Sequence, residues 1–285
     1  MEDRKRILMI IPNMGFGGAQ RLFHDLSACL SGKFHVTECV FNFDDGHAYP
    51  SSNKIFSLDV PAGNNSLQKT WFFFKRISKL KKLKKQLNVD YAISHLEGAD
   101  YINILSAAHE KVIICIHGSK KYDAAIRGLF GWVRKKILIP ILYKKADKIV
   151  TVAQGIREEL VSFFNLPNSR LTVINNGFNI RDIHAKADEI LPPEFNRIFV
   201  KPVIITHGRL APEKDHKILL KVLANPLLKG SVNLVLIGNG PLLQDLVTTA
   251  NELGHCTYQH GEDLQGINDH CNVFSDMEAR ERIYR

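Results

Sequence analysis

No stretch of the 285-residue chain approaches the roughly 20 consecutive apolar residues that a membrane-spanning helix requires, so any membrane contact is expected at the surface. Cysteine is sparse. Cys29, Cys39, Cys115, Cys256 and Cys271 are an odd number without a C-x-x-C pair, which argues against a disulfide framework and reads as reduced thiols in a cytoplasmic setting. The first apolar run, Ile7–Ile11, is too short for the core of an export signal, and none is expected. Solenoid repeats are missing, as is any signature of a nucleic-acid recognition module, so nucleic acid is not an expected partner.

What is present is an ordinary globular composition, with 45% hydrophobic, 9% aromatic and 24% charged residues, which excludes disorder as the dominant state. Lys and Arg total 38 against 29 Asp and Glu, a net charge of +9, and this favours anionic partners such as phosphorylated ligands or acidic lipid headgroups. Short β-rich runs alternate with longer helical periods, the pattern of a mainly parallel sheet covered by helices. Strands are expected at Arg6–Ile11, His35–Phe41, Ile55–Leu58, Tyr91–Ser94, Val112–His117, Lys148–Val152 and Leu171–Ile174. Helices are expected near Ala19–Leu30, Trp71–Leu87, Ala99–His109, Ile126–Lys145 and Gly155–Phe164. After Pro192 and Pro193 the pattern restarts with strands at Val203–Thr206 and Asn233–Ile237 and helices at Lys214–Leu223 and Leu242–Leu253. Two α/β domains follow, residues 1–190 and 191–285. The second has few strands and a polar end from Gly261 to Arg285, so it is expected to be incomplete through truncation or a shifted reading frame.

Three strand–turn–helix motifs carry chemistry. In Ile10-Ile-Pro-Asn-Met-Gly-Phe-Gly-Gly-Ala-Gln20, glycines let backbone N–H groups approach an anion at a helix N-terminus. The spacing is neither G-x-G-x-x-G nor a P-loop, which disfavours a dinucleotide; a tight turn without a ligand is the plain alternative. His207-Gly-Arg-Leu-Ala-Pro-Glu-Lys-Asp215 puts Arg209 and Lys214 after a parallel strand, where open α/β sheets bind ligands, and two cations there suit a departing diphosphate. A solvated basic turn is the alternative. Gly238-Asn-Gly-Pro241 again joins a strand to a helix, with backbone amides able to hold a phosphate or base, although Pro at a helix start is common for structural reasons.

Together these segments resemble the retaining glycosyltransferases of family 4. Gly17-Gly-Ala-Gln20 is similar to the family's G-G-x-E with Gln in place of Glu, Ile174-Asn-Asn-Gly-Phe-Asn179 to its N-G-V-D, Gly208-Arg-Leu-Ala-Pro-Glu-Lys214 to its G-R-L-x-x-E-K, and Gly238-Asn-Gly-Pro241 to its G-x-G-P. The resemblance spans roughly residues 5–260. It implies an α/β protein of GT-B type, two Rossmann-like domains with a cleft between them, the second incomplete. It implies transfer of a sugar from a nucleoside-diphosphate donor to a glycan or lipid-linked acceptor, with retention of configuration, in cell-surface polysaccharide synthesis. Arg209 and Lys214 would neutralise the diphosphate, so no metal or other cofactor is expected. Gly17, Gly18, Gly238, Gly240 and Pro241 would lie along the nucleotide-sugar. His117, closing Val112-Ile-Ile-Cys-Ile-His117, matches a position where the family often has an active-site His, although a lone His at a strand end is more often structural. The family's E-x7-E motif is missing, since no two Glu stand eight positions apart. Two alternatives stay open: a non-catalytic remnant that binds membrane or glycan only, and a sugar-nucleotide 2-epimerase of the same architecture.

Residues 69–87 combine Trp71-Phe-Phe-Phe74 with eight Lys or Arg, and helical spacing puts Phe73, Ile77, Leu80, Leu83 and Leu87 on one side and most lysines on the other. Docking on an anionic membrane surface is the expectation, which makes the protein cytoplasmic and peripheral on the inner face. A surface helix that packs Ile77 and Leu80 into the core while its lysines are merely solvated is the alternative. A zinc site from His255, Cys256, His260, His270 and Cys271 fits no standard spacing. Glu97 reads either as acceptor-facing or as a plain polar strand end.

Overall fold

Along β1 (Arg6–Ile10) every second side chain faces the same side, and both faces are apolar, so the strand is built for burial under helices on both sides. Leu8 and Ile10 enter one cluster, while Ile7 and Met9, with Ile11 just beyond the strand, enter the other. The architecture comes from a computed structural model that describes residues 4–15, 17–43, 49–123, 128–190, 193–228 and 230–254, with the backbone of 257–259 and 271–274.

The chain divides into two units, Met1–Phe178 and Asn179–Arg285, where composition puts the change at residue 190. The first contains β2 (His35–Val40), β3 (Lys54–Ser57), β4 (Tyr91–His95), β5 (Lys111–Ile116), β6 (Lys148–Thr151) and β7 (Leu171–Val173) beside β1, a seven-stranded sheet in the order β3-β2-β1-β4-β5-β6-β7. Every pairing is parallel. Phe23, Leu26 and Leu30 of α1 (Gly18–Ser31) pack on Ile7, Met9 and Ile11. On the other face lie α2 (Ser66–Leu87) and α3 (Glu97–Leu105), then α4 (Gly128–Val133), α5 (Ile139–Tyr143) and α6 (Gln154–Ser162), whose described core side chains include Leu80, Ile102, Tyr143 and Leu160.

The second unit has α7 (Ile180–Ala187), β8 (Val203–His207), α8 (His216–Leu223), β9 (Asn233–Ile237), α9 (Leu243–Glu252), β10 (Thr257–Gln259) and β11 (Cys271–Phe274). Its four parallel strands run in the order β10-β11-β9-β8. Leu234 and Leu236 meet Leu220 and Leu223 of α8 and Leu246 and Ala250 of α9.

For the expected elements, identity follows the periodicity and the ends do not, while α7, β10 and β11 lie where the periodicity predicts no element. Helix α2 starts five residues before Trp71, because the Asn65 side chain accepts the Gln68 backbone N–H at 2.9 Å and caps the helix. The single helix expected over 126–145 is instead α4, a π-helical turn over Arg134–Leu138, and α5. Pro140 supplies no backbone N–H, and the ladder widens just before it so that Ile139 donates to the Arg134 carbonyl. Asp215 takes a left-handed φ of 45° between a 3-10 turn at Pro212–Lys214 and α8, so that helix begins at His216, two residues after Lys214. Among the described residues no helix is long and apolar enough to cross a membrane. Cys29, Cys39 and Cys115 are free thiols, the last two buried in strands. The side chains of His255, Cys256, His260, His270 and Cys271 lie outside the described residues.

Candidate functional site

The first unit gathers its polar residues where its strands end. After β1 the chain turns through Gly15, Gly17 and Gly18 into α1, and Asn13 holds the turn by accepting from the Gly15 N–H (3.2 Å) and the Gln20 side-chain amide (3.3 Å). Gly17, at φ 172°, is ordinary extended backbone, and a Cβ there would meet only the movable end of Gln20. A Cβ on Gly18 would meet nothing within 4 Å among the described residues. Neither dihedral strain nor protein packing demands glycine at position 18.

His117 follows β5 and is partly buried. Its Nε2 lies 3.0 Å from Nδ1 of the fully buried His95, the last residue of β4, and the two rings meet edge to edge, 24° from parallel, with centroids 5.1 Å apart. Phe23 of α1 stands edge-on to His95, so His95 touches both the helix that follows the glycine turn and the strand end that carries His117. Burial, with the neighbouring imidazole, pushes His95 down to about 3. Burial and the Lys120 charge push His117 down to about 4. Both rings are neutral at physiological pH.

Leu96 separates His95 from Glu97 at φ 73°, a left-handed conformation that costs on the order of 1–3 kcal/mol in a non-glycine residue and is common at functional sites. The turn lets His95 face α1 while Glu97 opens α3. Glu97 is not a free strand-end carboxylate: the Arg134 guanidinium grips both its oxygens, Lys120 lies 3.2 Å away and Tyr101 donates its hydroxyl at 2.6 Å. Burial raises the Glu97 carboxyl, but these donors outweigh it and hold the group down at about 2. Arg134, itself buried in the π-helical turn, also reaches Asp123 at 2.8 Å. Beneath them Asp100 is fully buried, accepts from Ser94 at 2.7 Å, and is pushed up to about 8 by burial. Glu159 of α6 accepts the backbone N–H groups of Lys120 (2.7 Å) and Lys121 (3.0 Å), which secures the loop after His117.

In the second unit, two turns are laced together. Gly208 donates to the Ile237 carbonyl (2.9 Å), Leu210 to Asn239 (2.9 Å) and Leu242 to Leu210 (3.0 Å). A Cβ on Gly238 would sit 1.8 Å from the Gly208 oxygen, and one on Gly240 would sit 2.4 Å from the Leu210 oxygen. Both glycines therefore have a packing reason that the sequence could not show. The lacing brings Arg209, Lys214, Gly238, Gly240 and Pro241 to the C-terminal ends of β8 and β9. Arg209 is 68% exposed and donates from one guanidinium nitrogen to Glu213, and Lys214 is exposed without an ion-pair partner among the described residues.

Further sequence candidates fall outside these clusters. Ile174 to Asn179 runs on from β7 as exposed chain, anchored by Asn175, whose amide donates to the Val152 carbonyl at 3.0 Å. On α2, Ile77, Leu80, Leu83 and Leu87 face the core with Phe72 and Phe73, while Trp71 (60% exposed) and Phe74 (63%) remain outside beside the lysines. Lys84 departs from the solvated face: it is fully buried, 2.7 Å from Glu110 and hydrogen-bonded to Asn103.

Sequence reasoning missed His95 and Arg134. The first could have been suspected because a histidine stands at the end of each of two successive strands, although His95 is level with Cys115 and His117 lies two residues beyond. The second carried no signal, because its partner Glu97 lies 37 residues away.

The family model for Glycosyltransferase Family 4 matches residues 16–182, more than half of the chain. A curated relative from Campylobacter jejuni, N-acetylgalactosamine-N,N'-diacetylbacillosaminyl-diphospho-undecaprenol 4-alpha-N-acetylgalactosaminyltransferase, is 28% identical over 257 residues, covering 87% of this chain and 67% of its own length. Among solved structures, Anabaena HepE in complex with UDP-glucose superposes with a TM-score of 0.62 at 16% identity, over 96% of this chain and 70% of that one. The sucrose-phosphate synthase of Thermosynechococcus elongatus gives 0.67 at 14% identity, over 99% and 73%. At these identities the structural likeness shows the fold, that of GT-B glycosyltransferases.

Proposed function

The chain belongs to Glycosyltransferase Family 4, and from that premise we propose that it moves a sugar from a nucleoside diphosphate to a glycan or lipid-linked acceptor, with retention at the anomeric carbon, in cell-surface polysaccharide synthesis. The observation that carries the donor reading is the laced pair of turns in the second unit. It presents two water-facing cations, Arg209 and Lys214, in the turn that follows β8, beside the glycine turn that follows β9, where the growing charge of a leaving diphosphate needs stabilisation. Arg supplies a planar fork once it lets go of Glu213, and Lys supplies a point charge. In this reading no metal is required, Gly238, Gly240 and Pro241 border the nucleotide, and the unencumbered Gly18 with Gly17 admits donor phosphates close to backbone. His117 faces the donor sugar. The undecaprenol-linked acceptor in the name of the Campylobacter relative supports a lipid-linked acceptor here.

Titration calorimetry of the full chain with UDP, GDP and ADP tests the donor site. Saturable binding of one nucleotide is expected, weakened roughly 10- to 100-fold by Lys214→Ala, the worth of a charge-assisted contact. Binding of none would sink the donor reading and leave a chain that binds membrane or glycan only.

The protein works on this reading at the cytoplasmic face of the membrane. Support comes from α2, where exposed Trp71 and Phe74 accompany Lys81, Lys82 and Lys85 and no acidic residue occurs between Asp59 and Asp90. Sedimentation with phosphatidylglycerol vesicles, lost on Trp71→Ala with Phe74→Ala, is the expected outcome; equal sedimentation of wild type and variant would remove the membrane role.

A further inference from the structure

Between them, the imidazoles of His95 and His117 share one proton position. Two nitrogens 3.0 Å apart in two neutral rings require that one carry hydrogen and the other a lone pair. The choice at that contact dictates the other two nitrogens. If His95 donates from Nδ1, its own Nε2 is a lone pair and His117 carries its proton on Nδ1. If His117 donates from Nε2, His95 must carry a proton on Nε2 and His117 shows a bare lone pair at Nδ1.

Surroundings break the tie. His95 Nε2 is buried and has no hydrogen-bond partner among the described residues, so there it is either an unpaired acceptor or an unpaired donor. Buried N–H groups without acceptors are rarer in folded proteins than under-satisfied acceptors, and the perpendicular Phe23 ring beside His95 carries no oxygen or nitrogen to receive one. The lone pair therefore sits at His95 Nε2, and the hydrogen lies between the rings on His95.

We propose that His95 is a positioning residue that holds His117 as the Nδ1–H tautomer, so that the half-buried His117 presents a hydrogen-bond donor, not a base, at the C-terminal edge of the seven-stranded sheet. Such a donor suits a hydroxyl oxygen of the bound sugar, and this consequence rests on the reading above that His117 faces the donor. The relation between the two rings does not. A donor there orients a sugar by accepting nothing from it and removes His117 as a proton acceptor during transfer. The contact with His117 on one side and the Phe23 ring on another hold the His95 ring in place.

Long-range 1H–15N correlation spectra of the full chain, labelled with 15N-histidine, read which ring nitrogen of His117 carries hydrogen, its signals being assigned by their loss in His117→Gln. The Nδ1–H pattern is expected in the wild type. His95→Phe, which keeps a ring and deletes the donor, should convert His117 to the Nε2–H tautomer or to a mixture, and His95→Asn, whose amide N–H can stand in for Nδ1–H, should restore the wild-type pattern. An Nε2–H His117 in the wild type, or a His117 pattern indifferent to His95→Phe, overturns the proposal. The wild-type spectrum alone decides it if a variant fails to fold. The nucleotide titration stays separate: a chain with the expected tautomer that binds no nucleotide refutes the donor site and not the pair, and the converse refutes the pair and not the donor site.

Discussion

The two glycine turns that follow β1 and β9 look alike in sequence and are opposites in structure. Behind β9, Gly238 and Gly240 are hemmed by the backbone of the β8 turn, and Gly238 has a φ of 152°, so glycine there is a condition of folding. Behind β1, Gly17 is extended and faces only the end of Gln20, and a Cβ on Gly18 would meet none of the described residues, so glycine at 18 is unexplained by their packing. Surroundings differ in the same sense: the first unit buries His95, Asp100 and Arg134 behind its strand ends, and the second leaves Arg209 and Lys214 in water. A glycine motif therefore marks a place where backbones come close, and only the neighbours tell whether the close partner is the protein or a ligand.

The largest effect that would break this contrast is expected for Gly238→Ala. A methyl group 1.8 Å from a carbonyl oxygen, on a backbone that disfavours it, should cost the second unit about 3–5 kcal/mol, read by hydrogen exchange of the β8 and β9 amides. Protection equal to wild type would mean the turns are not laced.

A more gradual effect, at most about 1.4 kcal/mol for each pH unit, concerns the buried Asp100 of the first unit. Because the Asp100 carboxyl is raised to about 8, the folded chain keeps a proton that the unfolded chain releases near 4, so stability falls as pH rises through that interval. Asp100→Asn should flatten the pH profile of urea unfolding followed by tryptophan fluorescence, since both tryptophans, Trp71 and Trp132, belong to the first unit. Parallel profiles for the two proteins would show that Asp100 ionises normally.

The smallest effect is the most diagnostic of the comparison. Gly18→Ala should leave stability unchanged or raise it by up to about 1 kcal/mol, because alanine is the better helix residue and nothing crowds it. The same substitution should weaken nucleotide binding. A loss of stability like that of Gly238→Ala would make the two turns equivalent.

Much of the fold was legible in the chain because alternation with period two and period 3.6 is written locally: the strands near residues 6, 35, 91 and 112 and the core face of α2 follow from it directly. The turn that holds Arg209 and Lys214 was local too, since one short motif after β8 contains both. Local signals failed at Asn65, where one capping side chain extends a helix whose apolar stripe starts later, and at Lys84, one lysine among many until Glu110 and Asn103 close over it.

By itself the sequence determined the parallel α/β architecture, the order of its elements and the places where strands hand over to helices, since these depend on residues adjacent along the chain. Tertiary structure alone decided that His95 stands against His117, that Arg134 belongs to Glu97 and that Gly238 must lack a side chain. Each of those facts is a contact between segments about 20 or more residues apart, created only when the parallel sheet brings distant strand ends to one edge.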